Sequence, residues 1–208
     1  DVDGIHIDDY FYPSVDKKID ASEYGKYIEG GGGLTLEDWR RQRVSDFVKA
    51  LYSAVKTENP GALFGISPAG NVRLNMEEYY ADVKLWVQEE GYIDYIIPQL
   101  YYGFKHTVLP FGQALDEWNE MVTNDDIKVY YGLAAYKTGR PDKYKELDEE
   151  AKNEWLESSD ILARQLTAVR NSRRCDGFSV FEYTGFFADD PDDISRKEAE
   201  NFLKAMGG

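Results

Sequence analysis

The sequence predicts an α/β fold built on parallel strands, with its polar chemistry gathered at one end of the sheet. Three observations carry that prediction. Strand and helix patterns alternate five times along the 208 residues. The segments joining successive strands are long enough for parallel crossovers. One strand pattern, Tyr92–Gln99, is a near-continuous apolar run of the kind buried on both faces of a parallel sheet. In such sheets the strand C-termini share one side, and the loops that follow them carry binding and catalytic groups.

Each element follows from a local pattern. In Asp3–Asp8 the apolar Ile5 and Ile7 alternate with the polar His6 and Asp8, which predicts a strand running into Asp8-Asp9 and the aromatic loop Tyr10-Phe11-Tyr12-Pro13. Residues 14–34 read as a long loop ending in four glycines, Gly30 to Gly33, too flexible for regular structure. Thr35 caps a helix over Leu36–Thr57, whose Trp39, Val44, Phe47, Val48, Leu51 and Val55 recur at helical spacing, with Asn59-Pro60-Gly61 as the stop. Leu63–Ile66 is the second strand, ending at Ser67-Pro68, and Glu77–Glu89 the helix after it. The third strand, Tyr92–Gln99, delivers Gln99, Tyr101 and Tyr102 to its C-terminal end. A helix over Phe111–Val122 leads to the fourth strand, Lys128–Leu133, and then to a charged loop through residue 155 that reads as solvated surface. Helix Ser159–Asn171 precedes the fifth strand, Gly177–Phe181, which presents Glu182 and Tyr183. Asp193 caps a last helix reaching Ala205.

Five such units make an open or incomplete barrel, since a closed eight-unit barrel takes about 250 residues. The expectation is therefore an incomplete (β/α)8 TIM-barrel type in a single domain over residues 1–208. Its two open sheet edges invite pairing, for instance with a second copy as a homodimer.

Composition narrows the partners. A net charge of -15 repels nucleic acid and anionic membrane surfaces, so a neutral ligand fits better. Aromatic residues make up 14% of the chain, including 16 Tyr and 4 Trp, more than a minimal core needs and suited to stacking on sugar faces; core packing is the competing explanation for any one of them. Cys175 stands alone, which excludes an intrachain disulfide and a cysteine-based metal site. His6 and His106 are the only histidines, so a zinc site would have to be mostly carboxylate, an unusual composition; no metal or other cofactor is expected. The four glycines lack the strand-to-helix setting of a phosphate loop, and Asp189-Asp190-Pro191-Asp192-Asp193 reads as a solvated helix entry. No run approaches the 18 apolar residues of a membrane span, and no secretory leader is read in the chain.

The strand-end carboxylates are Asp8, Asp9 and Glu182. Glycosidic hydrolysis needs two acids, one to protonate the leaving oxygen and one to act as base or nucleophile. Adjacent strand residues point apart, so only one of Asp8 and Asp9 faces a pocket. Asp8 shares its pleat face with His6 and Tyr10; His6 serves equally well as a hydrogen-bonded histidine of the sheet interior. Arg40 and Arg41 in the first turns of their helix either bind an anionic group, neutralise a nearby carboxylate or are ordinary surface cations.

Five stretches in chain order, DGIHIDDYFYP at the start, WRR at Trp39–Arg41, FGISPAG at Phe64–Gly70, DYIIPQLYY at Asp94–Tyr102 and GFSVFEY at Gly177–Tyr183, together resemble glycosyl hydrolase-like family 10. The resemblance implies a (β/α)8 barrel whose strand four is the opening motif, so that this chain corresponds to units four to eight without the first three. It implies an extracytoplasmic, often lipoprotein setting in bacteria, and action on cell-wall glycan, with peptidoglycan strands stripped of their peptides as the substrate class. Carried over by motif, Asp8 and Asp9 match the paired acids, Tyr10 and Tyr12 the aromatic loop, Arg41 the WRR segment, Ser67 and Asn71 the loop after the next strand, and Gln99 and Tyr101 the strand end after that. Tyr102 and Tyr183 add aromatic platforms. Three functions follow: a glycoside hydrolase acting through Asp8 or Asp9 with Glu182; a glycan-binding module that does not cleave; and a fragment of a larger hydrolase.

Overall fold

Period-two patterning at the start of the chain does form a strand, β1 (Gly4–Asp8), in a computed structural model that describes residues 2–8 and 11–207. The chain divides into two compact units, the first holding residues up to Ile96 with Met121–Ile127, the second Ile97–Glu120 and residues from Lys128 on.

In the first unit β1, β2 (Leu63–Ser67) and β3 (Tyr95–Ile96) pair in parallel, with His6 level with Gly65 and Gly65 level with Tyr95. Asp8 and Ser67 end side by side. The loop expected over residues 14–34 contains a helix, α1 (Ala21–Glu29), which is a correction. Gly25 and the glycines after it hide its pattern, and it buries no residue fully; Tyr24 and Tyr27 hold it by packing on Trp39 at 5.5 and 6.2 Å.

Helix α2 (Leu36–Glu58) starts where its cap predicts, because the Thr35 hydroxyl accepts the Asp38 N–H at 3.1 Å and donates to the Asp38 carboxylate at 2.7 Å. Trp39, Val44 and Val48 of its stripe are buried, whereas Phe47 stays 54% exposed. The helix expected over Glu77–Glu89 is confined to α4 (Val83–Gln88), capped by Asp82, and a short α3 (Val72–Glu77), capped by Asn71, precedes the expected span. Between them Tyr80 takes a left-handed backbone, φ 50°, a strained state for a side chain of this size. Its hydroxyl accepts a bond from the buried Arg40 guanidinium, which holds it there.

The third strand is also shorter than expected. Pro98 lacks the N–H a continuous ladder requires, so β3 ends at Ile96, and Pro98–Leu100 pairs instead within the second unit. There the Pro98 carbonyl accepts the Gly132 N–H at 2.9 Å, and Leu100 N–H donates to the Gly132 carbonyl at 2.9 Å. Gly132 lies in β4 (Lys128–Ala134), which pairs in parallel with β5 (Gly177–Phe181).

One device recurs at the start of two strand pairs. Asp94, just before β3, donates its N–H to the Phe64 carbonyl and accepts the Phe64 N–H on its carboxylate at 2.7 Å, with Lys56 2.7 Å away. Asp176, just before β5, does the same with Val129, its carboxylate accepting at 2.9 Å beside Lys128 at 3.1 Å. Burial pushes the Asp176 carboxyl up, but the Val129 N–H and the Lys128 charge outweigh it and hold it below its ordinary value.

The remaining helices of the second unit are α5 (Phe111–Met121), α6 (Glu149–Glu157), α7 (Ile161–Arg170), α8 (Thr184–Phe187) and α9 (Asp193–Gly207). Helix α6 lies inside the expected charged loop, a second correction. Its surface charges mask Trp155 and Ala151, which are buried, and the buried Glu154, whose carboxylate accepts the N–H groups of Phe104 and Lys105. The cap of α9 is Asp192 rather than Asp193, since it is the Asp192 carboxylate that accepts the Ser195 N–H at 2.9 Å.

Helix α7 has no cap from its own preceding side chain. Glu198 of α9 supplies one, accepting the N–H groups of Ile161, Leu162 and Ala163 at 2.8, 2.9 and 3.3 Å. Those donors favour the charged carboxylate and burial favours the neutral one; burial prevails and pushes Glu198 up to about 7. A carboxyl raised on folding gives stability that is present below its unfolded value of 4.5 and lost as pH rises through about 7. Urea midpoints should therefore fall over that interval by an amount worth roughly 3 kcal/mol. Glu198→Gln, which keeps an acceptor but cannot ionise, should flatten the profile; an unchanged profile would show that Glu198 does not set it.

Candidate functional site

The strand ends of the first unit bring three predicted residues together. His6 and Asp8 lie two apart on β1, on one face of the pleat, and Ser67 closes β2 beside Asp8. The His6 ring holds a hydroxyl on each nitrogen: Nε2 is 2.8 Å from Ser67 Oγ and Nδ1 is 3.0 Å from the Tyr95 hydroxyl. In the neutral ring one of these nitrogens donates and the other accepts. The His6 and Tyr95 rings also stack, with centroids 5.6 Å apart and planes 13° from parallel. Only glycine fits between them on β2, because a Cβ at Gly65 would strike the Tyr95 ring.

Partial burial pushes His6 below its ordinary pKa, and the negative charge of Asp8 pulls it part of the way back. Asp8 itself is exposed and accepts no hydrogen bond among the described residues. Its carboxylate is open to a ligand, while the layer beneath it is fixed.

Other predicted residues of this unit are occupied elsewhere. The Tyr12 hydroxyl donates to Asp20 at 2.7 Å, and burial, with Asp20 beside it, pushes its pKa up to about 12. Arg41 donates to the Asp38 carboxylate at 2.6 Å and to the Met76 carbonyl at 3.1 Å. Arg40 is fully buried, so it is not a surface anion binder. Asn71 spends its side-chain oxygen on the cap of α3. Asp9 and Tyr10 lie outside the described residues. A cavity of about 490 Å³ opens beside Asp8, walled by Ile7, Phe11, Tyr12, Val44 and Phe47.

In the second unit the strand ends carry aromatic faces. Tyr101 stacks on Phe181 at 6.3 Å and 20°, and Tyr136 meets both edge-on, at 5.8 Å from Tyr101 and 5.9 Å from Phe181. Phe181 is 55% exposed and Tyr183 72%. Glu182 between them is exposed, and its carboxylate accepts the Thr184 hydroxyl at 2.9 Å. Gln99 makes its parallel bridge to Gly132. Tyr102 packs edge-on to His106 at 5.1 Å. No group of metal-ligating side chains occurs among the described residues.

Tyr95, Tyr136 and Phe181 are further aromatic residues of these strand ends, beyond those the sequence pattern marks. Tyr95 was within reach, since counting back by twos from Tyr101 and Gln99 gives Ile97 and Tyr95 on the same face of an extended strand.

Parallel strands whose ends carry an exposed carboxylate and aromatic faces define a member of the α/β class, and sequence comparison narrows that class. The profile described as glycosyl hydrolase-like 10 matches residues 1–148. The chain belongs to that family. It is 34% identical over 155 residues to "Glycosyl hydrolase YngK" of Bacillus subtilis (strain 168), covering 66% of this chain and 30% of that protein. It is 34% identical over 158 residues to "Glycosyl hydrolase DigH" of Escherichia coli (strain K12), covering 68% of this chain and 35% of that one. The chain thus spans about a third of the length of the curated relatives it matches.

Proposed function

We propose that this chain carries part of the active-site face of a glycoside hydrolase that cleaves the amino-sugar glycan of a bacterial cell wall, outside the cytoplasm. The observation that carries the reading is the exposed Asp8 carboxylate above the Ser67–His6–Tyr95 hydrogen-bonded layer, in a chain of this family. In the proposed reaction Asp8 is one of the two acids that glycosidic hydrolysis needs. One protonates the glycosidic oxygen as the bond to the anomeric carbon breaks, and the other attacks that carbon or activates the water that does. Water is consumed and a new reducing end is released. The neutral His6 holds its two hydroxyl partners in place under Asp8, and the exposed Phe181 and Tyr183 offer faces for sugar rings. On this reading the chain supplies units four to eight of the barrel, and preceding units complete the groove.

The test is release of reducing ends from peptide-free peptidoglycan strands, with the peptide-bearing polymer as comparison. Cleavage of the stripped strands is expected. Binding without product, in a chain extended to the length of the relatives, would instead make this a glycan-binding module.

A further inference from the structure

A second cavity, of about 400 Å³, lies wholly within the second unit, and its lining runs against the charge of the chain. The protein carries a net charge of -15, yet Lys137, Arg140 and Lys143 all border this one space. Lys137 is neutralised in place: its ammonium lies 2.6 Å from the buried Asp142 carboxylate and donates to the Tyr101 carbonyl at 2.7 Å. Arg140 and Lys143 are exposed and form no ion pair among the described residues. The cavity therefore keeps two uncompensated positive charges.

Its walls are aromatic. Tyr102 and Tyr144 pack on His106 at 5.1 and 5.3 Å, and Tyr144 is 46% exposed. His106 is buried, and its Nδ1 accepts the Leu109 N–H at 3.0 Å. That bond assigns the ring proton to Nε2, which has no hydrogen-bond partner among the described residues. The volume falls in the range of about 300–1,000 Å³ typical of small-molecule sites. Flat tyrosine faces suit a pyranose ring, and a guanidinium beside an ammonium suits a carboxylate.

We infer that this cavity binds a sugar bearing a carboxylate, the ring lying against Tyr102 and Tyr144 and the carboxylate meeting Arg140 and Lys143. This rests on the proposed action on cell-wall glycan and deepens it, because it makes the chain select an acidic sugar unit over a neutral one. The electrostatic argument fixes the sign of the ligand even though the protein as a whole repels anions.

Calorimetric titration of the whole chain with N-acetylmuramic acid and with N-acetylglucosamine, the same ring without the carboxylate, tests it. The acid is expected to bind about tenfold or more tightly, roughly the worth of one charge-assisted contact. In the Arg140→Gln, Lys143→Gln double variant the two sugars should bind alike, and Tyr144→Ala should weaken both. Equal binding by the unaltered chain, or a preference that survives in the double variant, would overturn the inference. So would inorganic phosphate displacing the sugar acid at matching concentration, which would mark a plain anion site. Charge preference without glycan cleavage would leave this inference standing while removing the proposed reaction, and cleavage without charge preference would do the reverse.

Discussion

Asp8→Asn is expected to lower glycan cleavage by about 10³-fold or more, within the range assigned to a working acid or base, and to leave the fold as it is. The amide has the same shape but can neither protonate a leaving oxygen nor attack a carbon. Asp8 is exposed at the end of β1, and its side chain makes no hydrogen bond among the described residues, so stability should change by no more than about 0.5 kcal/mol. A second readout separates a chemical role from a structural one. Asp8 raises the pKa of His6 against the larger effect of burial, so removing the charge should move the His6 titration further down. A full rate in the variant would remove Asp8 from the reaction. An unmoved His6 would show that the charge does not reach the ring.

Arg40→Met should cost about 3–5 kcal/mol of folding stability, the expected penalty for leaving one member of a buried ion pair without its partner. The Arg40 guanidinium is fully buried. It grips Asp20 with two bonds, Nε to Oδ2 at 2.8 Å and Nη2 to Oδ1 at 2.6 Å, and reaches the Val15 and Asp16 carbonyls and the Tyr80 hydroxyl with its remaining donors. A lysine has neither the fork nor enough donors, so Arg40→Lys should recover little. The pair also sets a pH dependence. The bonds from Arg40 hold the Asp20 carboxyl below its ordinary value, so its contribution is present above the unfolded pKa and lost as pH falls through the lower folded one. Denaturant midpoints taken between neutral and strongly acidic pH should fall steeply in the unaltered chain and less so in Arg40→Met. A loss under about 1 kcal/mol at neutral pH would mean that the loop from Tyr12 to Asp20 does not depend on this contact.

Much of the frame was legible because its signals are local. Thr35 marked the start of α2, the alternation around Ile5 and Ile7 marked β1, and the apolar pattern of Gly177–Phe181 marked β5. What escaped depends on groups far apart in the chain. Helix α1 is held by Tyr24 and Tyr27 against Trp39 despite its glycine, and α6 by burial of Trp155 inside a charged segment. The site divides the same way. His6 and Asp8 were found by period-two counting along β1, and Ser67, carried over by motif, ends the neighbouring strand in register with Asp8. Arg41, Asn71 and Tyr12 resemble site residues by motif, but Asp38, the α3 backbone and Asp20 engage their polar atoms, and sequence spacing carries no information about such partners.

The carboxylates ahead of β3 and β5 have a consequence for how this protein can change over time. Each fixes its strand against the neighbour at the end remote from Asp8 and Phe181, and a slip of one residue would turn every side chain of the strand to the opposite face. With alignment anchored there, the loops at the other end are released from that duty. They can lengthen, shorten or exchange residues, and so meet new sugars, without the sheet having to find its pairing again.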